Sequence, residues 1–423
     1  MKSEKERISL NGFILFQYLY KRFGCYFMNS ENKSLLWFTM LSYIDKGLAF
    51  VLPLSVLYIY KDKDTYNNLE YAYSIANIAV YLFTVGSMYA FYGYKEAKNK
   101  RNYVCDYLSI SCLSIICVSI ISLFIAIIQP EIGKEISFVV FLLISARIIL
   151  LLFISFLSAY YRLIDKPSEI LLYSITINIV ILVLLFIFSF FELNLLYSFA
   201  LPEFVIPLLF CLLWRKNSIN LHYIQTYYKK AIKYAWPLIL NSLLGLGVTN
   251  FGKIYAFNYM SSDEMYIFSY TMRISLVIGM AHTSIVAFYS KKIYTNSFSF
   301  IIALKYVFFL LTSALVSFAI IFILNNLLPQ KLPVDLTMFT IFAYNILFCA
   351  GSFCEAFYGR DNKNREVLYI SVVSFFVFAF LILIEKNMSI LSISLIMLVY
   401  AFFRLSLMLL GIKDLRMFVR NKK

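Results

Sequence analysis

The sequence is poor in charged side chains and in the side chains that bind metals or act as catalysts. Only 14% of its 423 residues are charged, whereas a soluble domain has about 25%. It holds two histidines and seven cysteines, and no two cysteines have the Cys-x-x-Cys spacing. We therefore expect neither a zinc centre nor a histidine-based catalytic site, and we predict no cofactor.

What the sequence has in place of charge is apolar surface. Hydrophobic residues make up 61% of the chain, too many for a water-soluble globule of this size, so lipid must be the solvent for most of the surface. The net charge is +15, but the cations fall in short clusters between apolar runs. That pattern is typical of a polytopic membrane protein. We therefore predict that the protein contacts membrane lipid and does not bind nucleic acid.

Long apolar segments recur along the whole chain. A membrane-spanning helix needs about 20 mainly apolar residues. We find twelve such segments, at 35–60, 69–93, 106–128, 136–160, 169–190, 194–213, 234–257, 264–289, 304–325, 334–358, 367–384 and 390–412. The predicted fold class is all-α, a polytopic membrane protein with about 12 transmembrane helices.

The distribution of Lys and Arg between the loops predicts the orientation. With the N-terminus in the cytoplasm, the inner segments hold 28 of the 38 Lys and Arg residues and the outer loops hold five. Because cytoplasmic loops carry an excess of Lys and Arg, we predict that both termini are cytoplasmic. The loops are also short, which argues against a membrane enzyme with a soluble catalytic domain.

The chain contains an internal repeat. The segment 156–174 resembles the segment 353–371, and seven of the nineteen positions are identical. Six spans separate the copies, so both have the same orientation, and we predict two pseudo-symmetric six-helix bundles around a central cavity. Chance similarity is the alternative. The predicted parts are a cytoplasmic segment (1–33), a first bundle (34–213), a cytoplasmic linker (214–233), a second bundle (234–412) and a basic cytoplasmic tail (413–423).

Charged side chains inside the predicted spans are the strongest functional signal. A charge at the bilayer centre costs about 2.5–3.5 kcal/mol, so such residues usually face a protein interior or a water-filled cavity. The cations are Lys46, Arg147, Lys253, Arg273 and Arg404, and the acids are Asp45, Glu203 and Glu355. The excess of cations predicts a pathway that binds anions.

Two other interpretations of these charges stay open. Each cation could be neutralised by a buried acid, as Asp45 could neutralise Lys46, and Lys253 or Arg404 could extend to the membrane surface. Intramembrane acids are also candidates for coupling transport to protons or sodium, and Asp45 and Glu203 are the best placed. The glycines at positions 245, 247 and 252 predict either bending of the seventh span or close helix packing.

Three stretches of the chain resemble a known family. The stretch 35–100 has a proline-bearing first helix, a tyrosine-rich start of the second and a basic inner loop. The stretch 233–275 has Pro237 where a seventh helix is expected to open, then Lys253 and a Tyr- and Ser-rich helix. With 156–170, whose aromatic residues precede basic ones, they resemble O-antigen flippases (Wzx-type) of the multidrug/oligosaccharidyl-lipid/polysaccharide exporter superfamily.

The resemblance implies a cargo and a mechanism. The cargo would be an oligosaccharide linked to polyprenyl diphosphate, moved from the cytoplasmic to the periplasmic leaflet of a bacterial inner membrane by alternating access. The polysaccharide polymerase and the chain-length regulator would be candidate partners. Lys253 departs from the family, where an acid is common. The alternative is a cation-coupled exporter of drugs or metabolites, whose usually cationic cargo would favour an acidic cavity.

Overall fold

The chain folds into a bundle of long α-helices. The computed structural model describes residues 30–132, 138–164, 166, 168–213, 221–295, 300–327, 333–360, 363–385 and 388–411. Within them the helices are α1 (Ser30–Tyr58), α2 (Lys63–Ala79), α3 (Val85–Glu96), α4 (Lys100–Ile132), α5 (Phe138–Leu163), α6 (Ser168–Phe190), α7 (Leu196–Leu213), α8 (Leu221–Tyr259), α9 (Ser262–Thr295), α10 (Phe300–Leu327), α11 (Leu336–Arg360), α12 (Asn364–Ile384) and α13 (Ile390–Gly411). The predicted segment up to residue 29, the first part of the predicted linker (214–220) and the predicted tail lie outside the described residues.

The all-α polytopic fold is confirmed. Ten helices of the described part are long and apolar enough to cross a membrane, by length and composition alone. Each of the twelve predicted spans overlaps one helix except the second, which is divided into α2 and α3 by a 3-10 turn at Val80–Leu82. Two predicted spans are not among these ten helices: the divided second span and the eighth span, which corresponds to α9.

The outer faces of the helices are suited to lipid. Phe186, Phe322 and Leu383 are 72, 71 and 83% exposed, and they belong to a large set of exposed Ile, Leu, Val and Phe side chains. Water-soluble monomers rarely present such continuous apolar surface. Lipid contact therefore accounts for what would otherwise be a surface prone to aggregation.

The two halves of the chain have the same helix packing. Helices α1–α7 form the first half and α8–α13 the second. The contact of α1 with α6 recurs as α8 with α12, that of α2 with α5 as α9 with α11, and that of α5 with α7 as α11 with α13. The repeated turn matches too, because Lys166 N donates to Tyr161 O at 2.8 Å and Lys363 N donates to Tyr358 O at 2.8 Å. The predicted pseudo-symmetry of the halves is thereby confirmed.

Helix α8 begins earlier than the sequence pattern predicts. It starts at Leu221 and continues without a break through Pro237 to Tyr259, so Pro237 lies inside this helix and does not open it. Residues 221–233, expected in the linker, are helical. There the Tyr227 hydroxyl donates to the Gly86 carbonyl oxygen at 2.9 Å. The absence of a side chain at Gly86 also permits the close packing of Phe156, because a Cβ at Gly86 would lie 2.8 Å from the Phe156 ring.

The molecule has two ends that differ in their contacts. We call the end where α2 and α9 begin the Lys63 end, and the opposite end, where α8 begins, the Tyr227 end. Side chains cap both helices at the Lys63 end: Asp62 accepts from Thr65 N at 2.9 Å. Ser261 and Glu264 form a reciprocal capping box, with N–H to side-chain oxygen distances of 3.1 and 3.3 Å. These caps satisfy backbone N–H groups that have no partner within the helix.

Candidate functional site: buried ion pairs between the helices

A fully buried carboxylate joins the two halves of the molecule. Glu70 of α2 belongs to the first half, and its side chain is 1% exposed. Its Oε2 atom accepts a hydrogen bond from Lys253 Nζ of α8 at 2.5 Å. Its Oε1 atom pairs with the guanidinium of Arg273 of α9. One acid of the first half thus binds two cations of the second, and we call these three residues the interhalf triad.

The interhalf triad carries a surplus of positive charge. Lys253 and Arg273 are both buried, with side chains 11 and 7% exposed, and Glu70 supplies the single formal negative charge between them. Arg273 Nη1 also donates to the Ala49 carbonyl oxygen of α1 at 3.3 Å. Moving charges out of water is costly unless they are paired and hydrogen-bonded. A net charge of about +1 in this place is therefore a feature that favours an additional anion.

Further contacts between the halves surround the triad at the Lys63 end. Lys63 Nζ lies 2.8 Å from Asp263 Oδ1. Asn67 Nδ2 donates to the Ser262 carbonyl oxygen at 3.0 Å and to its hydroxyl at 2.9 Å. The Tyr71 ring stacks on Phe257 with centroids 4.0 Å apart. The two halves are closed against each other at this end.

A second ion pair lies wholly within the first half. Arg147 Nη1 of α5 donates to Glu203 Oε1 of α7 at 2.8 Å. The Tyr73 hydroxyl donates to the same carboxylate oxygen at 2.8 Å, and the Arg147 guanidinium lies 4.0 Å from the centroid of the Tyr73 ring. Arg147 Nε and Glu203 Oε2 are buried with no hydrogen-bond partner among the described residues. The pair therefore has capacity for one more donor and one more acceptor.

The third pair lies in the second half, between the equivalent helices. Arg404 of α13 pairs with Glu355 of α11, and its Nε donates to the Ser371 hydroxyl at 3.2 Å. Ser371 in turn donates to Asn241 Oδ1 at 2.7 Å, so the network reaches α8. The helices correspond to α5 and α7 of the first half, but the acid and the base have exchanged helices.

Lys46 differs from the other four cations. Its side chain is 54% exposed, and its Nζ lies 3.9 Å from Asp45 Oδ2. Asp45 is buried, and its other oxygen accepts from Asn178 Nδ2 at 3.4 Å. At the limit of ion-pair distance the attraction is weak, so Asp45 does not firmly hold the Lys46 ammonium. Lys46 is thus the most accessible of the predicted anion-binding cations.

The structure distributes the predicted site residues over four places. Lys253 and Arg273 come together, whereas Lys46, Arg147 and Arg404 lie in separate pairs. The acids Asp45, Glu203 and Glu355 each face one cation, as the neutralising interpretation requires.

Glu70 is not among the intramembrane acids that the sequence predicts. The predicted second span begins at residue 69, which places this acid at the membrane surface. Helix α2 begins earlier, at Lys63 after its N-cap Asp62, so Glu70 lies two turns inside it. An Asp before a helix is a signal of a helix start that the sequence does contain.

One further cavity opens at the Tyr227 end. It has a volume of about 280 Å³ and lies between α3, α4 and α8, lined by Tyr89, Tyr103, Tyr227, Lys98 and Lys230 among others. Its walls combine aromatic rings with two ammonium groups. Within the described residues, no three His, Cys, Asp or Glu side chains are grouped so that they could hold a metal ion.

Comparisons with known proteins identify the fold. No family model matches the sequence, and no curated protein matches it. A solved lipid II flippase, MurJ in an inward closed conformation, matches with a TM-score of 0.60 and 12% identity over 89% of this chain and 87% of that one.

Two multidrug resistance MATE family transporters of the MOP superfamily match as well, both at 13% identity. The inward-facing one has a TM-score of 0.56 and covers 90% of this chain and 95% of its own. The outward-facing one has a TM-score of 0.54 and covers 92 and 96%. The chain therefore has the fold of MOP superfamily transporters.

Proposed function

We propose that this chain is a flippase that moves oligosaccharides linked to polyprenyl diphosphate across a bacterial inner membrane. The observation that carries the proposal is the interhalf triad, in which two buried cations share one carboxylate. A diphosphate is the charged part of such a cargo, and Arg and Lys are the side chains that bind phosphate oxygens. The exposed ammonium of Lys46 adds a further cation.

The fold supports the same proposal. A lipid II flippase shares it, so the fold is compatible with a lipid-linked cargo. In our proposal both termini lie in the cytoplasm, the Lys63 end faces the periplasm and the Tyr227 end the cytoplasm. The bundles at 34–213 and 234–412 then rock against each other, and the linker 214–233 joins them on the cytoplasmic side. In this proposal the delivered repeat unit becomes the substrate of a polysaccharide polymerase. The polymerase and the chain-length regulator are therefore proposed as partners.

The alternative is a cation-coupled exporter of drugs or metabolites. MATE transporters share the fold. A cationic cargo would require carboxylates that are free to bind it, whereas Glu70, Glu203 and Glu355 each contact a buried arginine or lysine. The charges therefore favour the flippase.

Deleting the gene tests the proposal directly. In the deletion strain, lipid-linked repeat units should accumulate and be oxidised by membrane-impermeant periodate only from the cytoplasmic side of the membrane. Wild-type protein should restore export, and Lys46→Ala, Arg147→Ala and Arg273→Ala should reduce it. Lys363→Ala is the matched control, because the Lys363 side chain forms an exposed pair with Glu366 at 3.0 Å, outside the buried network. Unchanged repeat units together with new sensitivity to cationic drugs would instead favour the exporter.

A further inference from the structure

The interhalf triad has the form of an anion site that is already occupied. The two cations belong to α8 and α9 of the second half, and the anion between them is a side chain of the first half. Both oxygens of Glu70 are used, one by each cation. An external diphosphate would offer the same arrangement with more oxygen atoms and one negative charge on each phosphate.

We infer that Lys253 and Arg273 form a diphosphate site that Glu70 occupies while the Lys63 end is closed, and that the diphosphate of the cargo displaces Glu70 and so opens this end. The inference rests on the proposed function and names the contact through which cargo would control the transporter. Glu70 acts in it as an internal competitor of the cargo.

The cost of breaking the triad makes the exchange necessary. Opening the Lys63 end separates α2 from α8 and α9, which would leave two buried cations and a buried carboxylate without partners. A buried charge that loses its partner is strongly destabilising. A diphosphate bound to Lys253 and Arg273 removes the larger part of this cost, because only Glu70 then has to be hydrated. The empty protein therefore stays closed at this end.

The other contacts between the halves at this end are weaker. The Lys63 and Asp263 side chains are 37 and 74% exposed, and exposed ion pairs contribute little because water and salt screen them. Asn67 and Ser262 join the halves through neutral hydrogen bonds. The buried triad is thus the contact that an anion can control.

Three glycines of α1, α8 and α9 leave open space beside their helices. Gly247 of α8 and Gly279 of α9 have no atom near the position of a Cβ, and neither does Gly47 of α1. Gly247 precedes Lys253 by six residues and Gly279 follows Arg273 by six, which places both about 9 Å from the triad along their helices. Both lie toward the Tyr227 end, the side from which the cargo enters in our proposal.

The test measures the width of the Lys63 end and the affinity for pyrophosphate in the full chain. Spin labels at positions 63 and 263, in a cysteine-free background in lipid nanodiscs, report the distance between the halves. Inorganic pyrophosphate is the probe, and sodium sulfate at equal ionic strength is the comparison. In the otherwise unmodified protein, pyrophosphate should lengthen the distance and sulfate should not.

The Glu70→Gln variant separates the inference from a purely structural role. Without its internal competitor, the variant should be open without any ligand and should bind pyrophosphate about tenfold more tightly, because the competent state is no longer the minor one. Glu366→Gln is the matched control, since it removes a half-exposed acid of the second half that pairs with Lys363, outside the buried network, and should change neither measurement. If Glu70→Gln does not fold, Glu70→Asp replaces it, whose shorter side chain reaches only one cation and should give an intermediate affinity.

The possible results distinguish the inference from the proposed function. A closed Glu70→Gln variant, or one with unchanged pyrophosphate affinity, overturns the inference even if the gene is required for export. If the variant opens and binds more tightly while deletion of the gene leaves repeat units unchanged, the anion-controlled contact stands and the proposed cargo is wrong.

Discussion

The carboxylate of Glu70 lies 2.5 Å from the ammonium of Lys253, a residue 183 positions later in the chain. This contact crosses from one half of the molecule to the other at a depth where the surroundings are apolar. The second span, which is not among the ten described helices long and apolar enough to cross a membrane, thus joins the two halves.

The three members of the triad should differ in their effect on stability. Glu70→Gln leaves two buried cations without an anion and should lower the free energy of unfolding by about 3–5 kcal/mol. Lys253→Met leaves a paired Glu70 and Arg273 and should cost less than half as much. Unfolding in detergent can be followed with a thiol-reactive dye, because Cys349 and Cys354 are buried. Equal losses in the two variants would contradict the assigned charge balance.

Lys46 and Arg147 should separate transport from stability. The Lys46 side chain is 54% exposed, so Lys46→Ala should reduce export while the unfolding temperature stays within error of wild type. Arg147→Ala should reduce both, since it leaves Glu203 buried without its cation, at a cost of about 3–5 kcal/mol. Surface polysaccharide is measured on cells that express each variant, and thermal unfolding on the purified variants. The two measurements together decide between these patterns.

The glycines of α8 should respond differently to alanine. A Cβ at Gly252 would overlap the Phe268 ring, whereas one at Gly247 would meet nothing. Gly252→Ala should push α8 away from α9 beside Lys253 and lower the free energy of unfolding by about 1–3 kcal/mol. Gly247→Ala, the matched control on the same helix, should be neutral or slightly stabilising, since alanine favours a helix. A neutral Gly252→Ala would mean that the close packing is not required.

Tyr73 should contribute to the Arg147–Glu203 pair in two separable ways. Tyr73→Phe removes the hydroxyl that donates to Glu203 at 2.8 Å but keeps the ring beside the guanidinium, and should cost about 1–3 kcal/mol. Tyr73→Leu also removes the ring and should cost about 0.5–2 kcal/mol more. Thermal unfolding of the two variants measures the difference. Identical values would show that the ring contact adds nothing.

Glu203 should be the more important of the two candidate acids for ion coupling. Its Oε2 atom is buried with no hydrogen-bond partner among the described residues, so it can accept a proton without breaking the bond to Arg147. Glu203→Gln should make transport in proteoliposomes independent of an imposed pH gradient, and Asp45→Asn should leave the dependence intact. The opposite pattern would assign the coupling to Asp45, and a dependence in both variants would exclude these acids.

The architecture could be predicted from the sequence because its signals are local. Apolar length marks each span, and the identical residues at 156–174 and 353–371 marked the repeat. The partners of the buried charges could not be predicted in the same way. Glu70 binds residues 183 and 203 positions away, and nothing in the segment around it indicates which cations it meets. The break between α2 and α3 contains no proline, so the sequence has no such signal of a helix end there.

The distance along the chain between Glu70 and Arg273 has a consequence for synthesis. At about 5–20 residues per second, a ribosome makes Arg273 roughly 10–40 s after Glu70, given their separation of 203 residues. When synthesis of the first half ends at Leu213, both cations that its buried carboxylate requires, Lys253 and Arg273, are still to be made. The first half is thus an incomplete folding unit. The buried carboxylate of its second span is fully paired only after the eighth span, which carries Arg273, has been inserted.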